Sequence, residues 1–199
     1  MLTIYMLRHG ETAWNADNNR YCGRTDIPLT PKGTAQAEEV RQQLAGIDFK
    51  DVYSSPLGRA YTTACIASGR EVIKDERLIE ADFGDWETKT REEFILENES
   101  LWLNWKQDPA LHRAGGTGET GTEIVTRVDA FFAELQQSHQ DGNIMVVAHN
   151  GINRLYLAYK LGMPLKNYRQ LVQQNSSITS FTLDNDGTLT LQLLNSKLR

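Results

Sequence analysis

The sequence predicts an α/β protein whose central sheet is mostly parallel and ends in an antiparallel pair. Three observations carry this. Residues 143–149, "NIMVVAH", are near-continuous in apolar side chains, as a strand covered on both faces must be. Helical patterns alternate with strand patterns along most of the chain. The stretch "SITSFTLDNDGTLTLQLL" (177–194) alternates around Asn185-Asp186-Gly187, a turn sequence that joins antiparallel strands.

The elements follow in order. "TIYMLR" (3–8) is β-branched and aromatic and reads as a buried first strand. Thr30 and Pro31 have the character of an N-cap and a first helical residue. Ala37, Val40 and Leu44 then share one face of an amphipathic helix. "DVYSS" (51–55) is a short strand. Ser55 and Pro56 repeat the cap-and-proline start, so a helix is expected over 57–68, ended by Gly69. "EVIKD" (71–75) is a third strand. From about Thr90 to Lys106, acids alternate with Phe94, Ile95, Leu96, Leu101, Trp102 and Trp105 in a helical segment. "AGGTGETG" (114–121) is a glycine-rich loop in which Thr120 and Glu123 have capping-box spacing. Ile124, Val128, Phe131, Phe132 and Leu135 fall at helical intervals, and a further helix is expected over 152–161. No repeat or linker divides the chain, so one domain is expected over residues 1–199.

Composition narrows the function. A chain of 199 residues can bury a good core. A net charge of −5 speaks against a general nucleic-acid binder, although a local basic pocket can hide in an acidic total. Cys22 and Cys65 match no zinc spacing and are too few for a disulfide framework, which points to a reducing, cytoplasmic setting. The opening apolar run stops at Arg8, and no later one reaches the roughly 20 residues of a membrane helix. Neither nucleic acid nor membrane is therefore expected as a partner.

Ligands of open α/β sheets bind beyond the carboxyl ends of the strands. Three strand ends here carry unusual residues. The first ends at Arg8-His9-Gly10, the second runs into a helix whose first turn holds Arg59, and "NIMVVAH" ends at His149-Asn150-Gly151. Each has an ordinary explanation alone: a surface arginine, a satisfied turn histidine, a turn glycine. The repetition is what matters, because two apolar strands both end in His with glycine close behind. If the strands are neighbours, two arginines and two histidines converge. Guanidinium groups bind phosphate bidentately. Their charge also disfavours the imidazolium, keeping a nearby histidine neutral and nucleophilic. Gly10 is expected to let the backbone approach the phosphate. The pocket suits phosphoryl transfer to histidine. No carboxylate or histidine cluster has metal-ligand spacing, and the arginines already supply charge, so no metal is expected.

These motifs carry a resemblance. "LRHGETAWN" resembles the signature of the histidine phosphatase superfamily, which includes the cofactor-dependent phosphoglycerate mutases. The similarity continues through "PLTPKGTAQA", "VYSSPLGRAYTTA", "RLIEADFGDWE", "GGTGETGTEIVTRV" and "VVAHNGINR". It implies a three-layer α/β/α sandwich, a small-molecule phosphomonoester as substrate, no cofactor, and a monomer or homodimer. It implies that His9 is the nucleophile and that Arg8, Arg59 and His149 hold the phosphoryl group. Glu80 would protonate the leaving oxygen and then activate water. Asn15 and the Asn150 backbone N–H would also face the phosphate. Cys22 and Gly23 match a position near the substrate where the family often has Ser or Thr before the glycine. A thiol is the weaker hydrogen-bonding group, so the contact there is expected to rest on backbone, with Cys22 buried and inert.

The family's mutases carry a longer, basic insert after the Glu80 motif. Here "TKTREEFILENESLWLNWKQDPALHRAGG" (88–116) is short, acidic and without paired arginines, which favours hydrolysis. The chain looks most like phosphatases of the α-ribazole phosphate type, with sugar phosphates as other substrates. Mutase-like transfer is the alternative, and a non-catalytic binder on the same fold a more distant one. Trp86, Phe94, Trp102 and Trp105 have two readings, a lid over the leaving group or helix packing.

Overall fold

The structure is a computed structural model, and it describes residues 1–197. Its elements in chain order are β1 (Leu2–Arg8), α1 (Ala13–Ala16), α2 (Pro31–Gln43), β2 (Phe49–Ser54), α3 (Gly58–Ser68), β3 (Ile73–Lys74), α4 (Arg91–Gln107), α5 (Gly121–Ser138), β4 (Gly142–Ala148), α6 (Asn150–Lys160), β5 (Ile178–Leu183) and β6 (Leu189–Ser196). Six strands form one sheet in the order β3-β2-β4-β1-β5-β6. β1, β2, β3 and β4 run parallel, whereas β5 pairs antiparallel with both β1 and β6.

The alternation of side chains along the central strands builds the layers. Ile4 and Met6 of β1 and Ile144, Val146 and Ala148 of β4 share one face with Phe131, Phe132, Leu155 and Tyr156 of α5 and α6. Leu7, Met145 and Val147 point the other way, onto Val40 of α2 and Ala60 and Ala64 of α3. Helices therefore cover both faces, as the three-layer expectation required. β4 is buried on both sides from Ile144 to Ala148, which explains its unbroken apolar run.

The register places the chemistry. Arg8 pairs with Ala148, and Ser54 with Val147, so the carboxyl ends of β1, β2 and β4 lie side by side. His9 and Ser55, the next residues, donate their N–H groups to Ala148 O and Val147 O, both at 3.0 Å.

Three expectations change, and one open reading is decided. The third strand shrinks to Ile73–Lys74, both exposed, because it pairs with β2 alone at the sheet edge. α3 begins at Gly58 rather than on a Ser55 cap. The Ser55 hydroxyl accepts from Leu57 N, and the helix's first N–H, from Gly58, goes to Asp26 Oδ2 at 2.6 Å. The helical segment after Thr90 is interrupted at Asn98, where φ is −157°. Its aromatic residues fill a separate core: Trp86 stacks on Phe94 (4.7 Å, 19°) and meets Trp102 and Trp105 edge-on. The packing reading of these residues is the correct one, since none of the four lines the cavity described below.

Trp86 is 2% exposed at the centre of that cluster. Trp86→Ala is expected to cost about 3–5 kcal/mol, read as a lower urea midpoint. A loss below 1 kcal/mol would show that the cluster is not a packing unit.

Candidate active site

His9 follows the last residue of β1 and is held at every backbone and ring position that matters. Its N–H is on Ala148 O, and its carbonyl accepts from Asn175 Nδ2 at 3.1 Å. Its ring Nδ1 lies 2.7 Å from Gly10 O. A carbonyl only accepts, so Nδ1 carries the hydrogen and Nε2 carries the lone pair. Burial, then the Arg59 and Arg8 charges, hold this imidazole well below the usual histidine range. His9 is thus neutral at pH 7 with Nε2 free.

Gly10 serves a different end from the one expected. Its N–H goes to Thr63 Oγ1 at 3.0 Å. A Cβ here would stand 2.4 Å from Gly33 O, and one on Gly33 would stand 2.1 Å from Glu11 O. The glycine pair lets the loop after His9 lie directly on the first turn of α2. It is backbone contact with α2, rather than with a ligand, that requires glycine.

Arg59 is fully buried. Nη1 donates to Thr25 O at 2.8 Å, and Nη2 donates to Cys22 O and Gly23 O at 3.1 and 2.8 Å. The carboxylate of Asp26 lies 3.5 Å from Nη1. Glu87 shapes the loop that supplies these carbonyls by accepting from Arg24 N, Thr25 N and the Thr25 hydroxyl. Arg8 donates from Nη1 to Gln173 O at 2.9 Å, and burial followed by the Arg154 charge pulls its pKa down to about 10. Both Arg8 Nε and Arg59 Nε are buried without an acceptor.

His149 caps α6 and is fully buried, with neither ring nitrogen hydrogen-bonded. Its ring centre is 5.2 Å from that of His9. Burial and the Arg59 charge hold it, too, well below the ordinary histidine range. The first N–H groups of a helix have no partner inside it. Those of Gly151 and Ile152 donate to Glu80 Oε2 and Oε1 at 3.0 and 3.1 Å, and Ala81 N adds a third bond to Oε1 at 2.9 Å. Glu80 is thereby fixed across the end of α6 and is 4% exposed. Arg127 supports the same strap, donating to Arg77 O and Ile79 O while gripping Glu119 with Nε and Nη2.

These groups meet at a cavity of about 410 Å³ lined by Arg8, His9, Asn15, Cys22, Glu80 and Asn150, among others. Arg59 and His149 sit fully buried behind that wall. Asn15 Oδ1 accepts from Thr12 N and Asn175 Nδ2, which leaves its Nδ2 donors toward the cavity. Gly23 does not line the cavity; its carbonyl holds Arg59, so that position acts through the arginine. The Cys22 thiol donates to Thr25 O, and burial pushes it up to about 11, so it stays protonated at pH 7.

A cluster of fixed positive charge around a neutral, tautomer-locked histidine suits phosphoryl transfer to that histidine. The profile described as histidine phosphatase superfamily (branch 1) matches residues 4–197. The chain belongs to this superfamily.

It is similar to phosphoserine phosphatase 1 of Hydrogenobacter thermophilus, 30% identical over 196 residues, which are 97% of this chain and 92% of that one. Among solved structures, a mutant phosphoserine phosphatase of Entamoeba histolytica in complex with phosphoserine superposes with a TM-score of 0.88. It is 32% identical, covering 99% of this chain and 98% of that chain. The α-ribazole phosphatase of Shigella flexneri has a TM-score of 0.85 at 30% identity, covering 98% and 96%. The superfamily's fold therefore extends over almost the whole chain. Among the described residues, no group of three or more His, Cys, Asp or Glu could hold a metal ion, and no helix is long and apolar enough to cross a membrane.

Sequence reasoning brought His9, Arg8, Arg59, Glu80, His149, Asn15 and Asn150 to one place. It missed their supports. Glu87 closes the motif "RLIEADFGDWE" and could have been found there. Thr63 lies within "VYSSPLGRAYTTA" and the Glu119–Arg127 pair within "GGTGETGTEIVTRV", so the same search would have reached them, whereas Gln173 and Asn175 carry no local signal. Also missed were Arg154 and Arg169 on the cavity wall.

Two outcomes are expected. Gly33→Ala forces backbone apart and should cost about 1–3 kcal/mol, with a fall in kcat because His9 moves; equal kcat would separate the glycine contact from the site. The second concerns pH. The unfolded chain protonates its histidines near pH 6.5, whereas folded His9 and His149 resist protonation until far lower. Stability is therefore full above that value and falls as pH drops through it, by about 1.4 kcal/mol per pH unit for each histidine. Urea unfolding at pH 7, 6 and 5 should show a shallower fall in His149→Asn than in the parent; parallel curves would contradict the burial effect.

Proposed function

We propose that this chain is a phosphomonoesterase that hydrolyses a small phosphorylated metabolite through a phosphohistidine on His9. The observation that carries the reading is the His9 ring. Its Nδ1–H is tied to Gly10 O, its Nε2 lone pair is free, and the Arg8 and Arg59 charges surround it. Relatives that are phosphoserine and α-ribazole phosphatases support hydrolysis.

The chemistry follows from the geometry. Arg8, Arg59 and His149, with Asn15 and the Asn150 N–H, bind the phosphoryl oxygens and stabilise charge on them as the ester bond loosens. Nε2 of His9 forms a bond to phosphorus while the bond to the ester oxygen breaks. The Gly10 carbonyl stabilises the positive charge that grows on the ring. Glu80 carries the proton that the departing oxygen needs, on a lone pair its backbone donors leave open. In the second half, the Glu80 carboxylate takes a proton from water, the water oxygen bonds to phosphorus, and the P–N bond breaks. Inorganic phosphate leaves, and His9 is neutral again. Cys22 and Gly23 contribute by presenting carbonyls to Arg59. The free thiols of Cys22 and Cys65 fit a cytoplasmic setting.

His9→Ala is expected to abolish turnover of p-nitrophenyl phosphate, and rapid quench into alkaline detergent should trap a base-stable, acid-labile phosphoenzyme only in the parent. Retained turnover would refute the nucleophile. Glu80→Gln should slow phosphoenzyme formation at least about 100-fold for an alkyl phosphate and much less for p-nitrophenyl phosphate, whose leaving group needs no proton. Equal losses on both would remove Glu80 as the acid.

A further inference from the structure

The cavity holds more positive charge than one phosphoryl group uses. Arg154 projects from α6, one turn beyond Asn150, and Arg169 from the turn after it (Leu165–Gln170). Neither forms an ion pair with a carboxylate among the described residues, although most of the chain's arginines do. Arg154 spends only Nε, on Asn150 O at 3.0 Å. Arg169 donates from Nη2 to the Tyr21 hydroxyl at 2.9 Å, and its Nε is buried without an acceptor.

Both are fixed by aromatic contact rather than by counter-charge. Each guanidinium lies 5.2 Å from the Tyr168 ring centre, and Arg169 lies 4.6 Å from that of Trp102. Trp105 Nε1 donates to the Tyr168 hydroxyl and so anchors this platform to the aromatic core. Contacts of this kind occupy the planar faces and leave the N–H edges for an oxyanion. Glu80 acts on Arg154 only through space, and no nearby acid forms an ion pair with either arginine among the described residues. Glu80 is committed to three backbone N–H groups, and Glu92 sits exposed beside Arg91. An unpaired, half-buried arginine pair is costly to keep unless a ligand neutralises it.

We propose that Arg154 and Arg169 form a second anion subsite, which binds an oxyanion carried by the alcohol part of the substrate. The proposal rests on the phosphomonoesterase reading and narrows it: the substrate is a small phosphomonoester with a carboxylate or a second phosphoryl group. The phosphoryl end lies against His9, and the second charge lies toward α6 and the turn after it. The pair that the acidic 88–116 segment lacks is thus supplied from two other parts of the chain.

The test uses two substrate pairs, each differing by one anionic group. O-Phosphoserine and O-phosphoethanolamine differ by a carboxylate; 1,3-propanediol bisphosphate and 3-hydroxypropyl phosphate differ by a phosphoryl group. In at least one pair the parent enzyme should prefer the more acidic member in kcat/KM by about 10- to 100-fold, and the pair that shows it identifies the oxyanion. Arg154→Gln and Arg169→Gln should each bring that ratio toward 1. Arg169→Lys, which keeps the charge but loses the fork, should restore part of it. Ratios near 1 in the parent, or equal losses on both members of a pair, would overturn the subsite. Absence of turnover on these four compounds and on p-nitrophenyl phosphate would refute the hydrolase reading instead. Calorimetric binding of the same pairs to His9→Ala then reads the subsite alone, and equal binding within each pair would overturn it.

Discussion

Arg59 carries its charge where no solvent reaches it. Such a group is tolerated only when nearly every donor finds an acceptor, because an uncompensated buried charge costs several kcal/mol. The carbonyls of Cys22, Gly23 and Thr25 meet this need, with Asp26 nearby. Those carbonyls are in place only because Glu87 gathers the N–H groups behind them. The loop, the capping of α3 by Asp26 and the aromatic turn that carries Glu87 are therefore one device. Its product is a guanidinium behind the cavity wall whose Nε is left without an acceptor.

That device sets the electrostatics of both histidines. Arg59 is the largest charge acting on His9 and on His149. Its charge and their burial work in the same direction, toward neutral imidazoles. Glu80 is held instead at the N-terminal end of α6, by two N–H groups. In the proposed mechanism the nucleophile and the acid therefore stand in different surroundings. One is surrounded by cations, the other by the partial positive charge of a helix terminus.

The strands were readable because their surroundings are simple. β1 and β4 lie inside the sheet, so β-branched and aromatic residues identify the first and an unbroken apolar run the second, and the residue after each strand is a site histidine. Helix starts with a local cap, at Thr30, Thr90 and Thr120, were equally visible. Features built from distant residues were not. The α3 terminus is capped from Asp26, 32 residues earlier, and Ser55 mimicked a cap without being one. Asn98 breaks α4 inside an otherwise helical pattern. Gly10 looked like a ligand-facing glycine because the backbone it touches, at Gly33, comes from another element. Arg154 and Arg169 drew no reading from the sequence, since only the folded chain brings Tyr168 beneath both and Trp102 beneath Arg169.

The position of β1 has a consequence for how the protein is made. It is the earliest strand of the chain, yet it sits inside the sheet between β4 and β5. Its partners span residues 142–148 and 178–183. During translation at about 5–20 residues per second, the strand that ends at Arg8 waits roughly ten to thirty seconds for them to emerge. Throughout that interval a strongly apolar segment has neither of its neighbours, and contacts this far apart in sequence form slowly in any case. The nascent chain is therefore at its most vulnerable to misassembly just before its active site can exist.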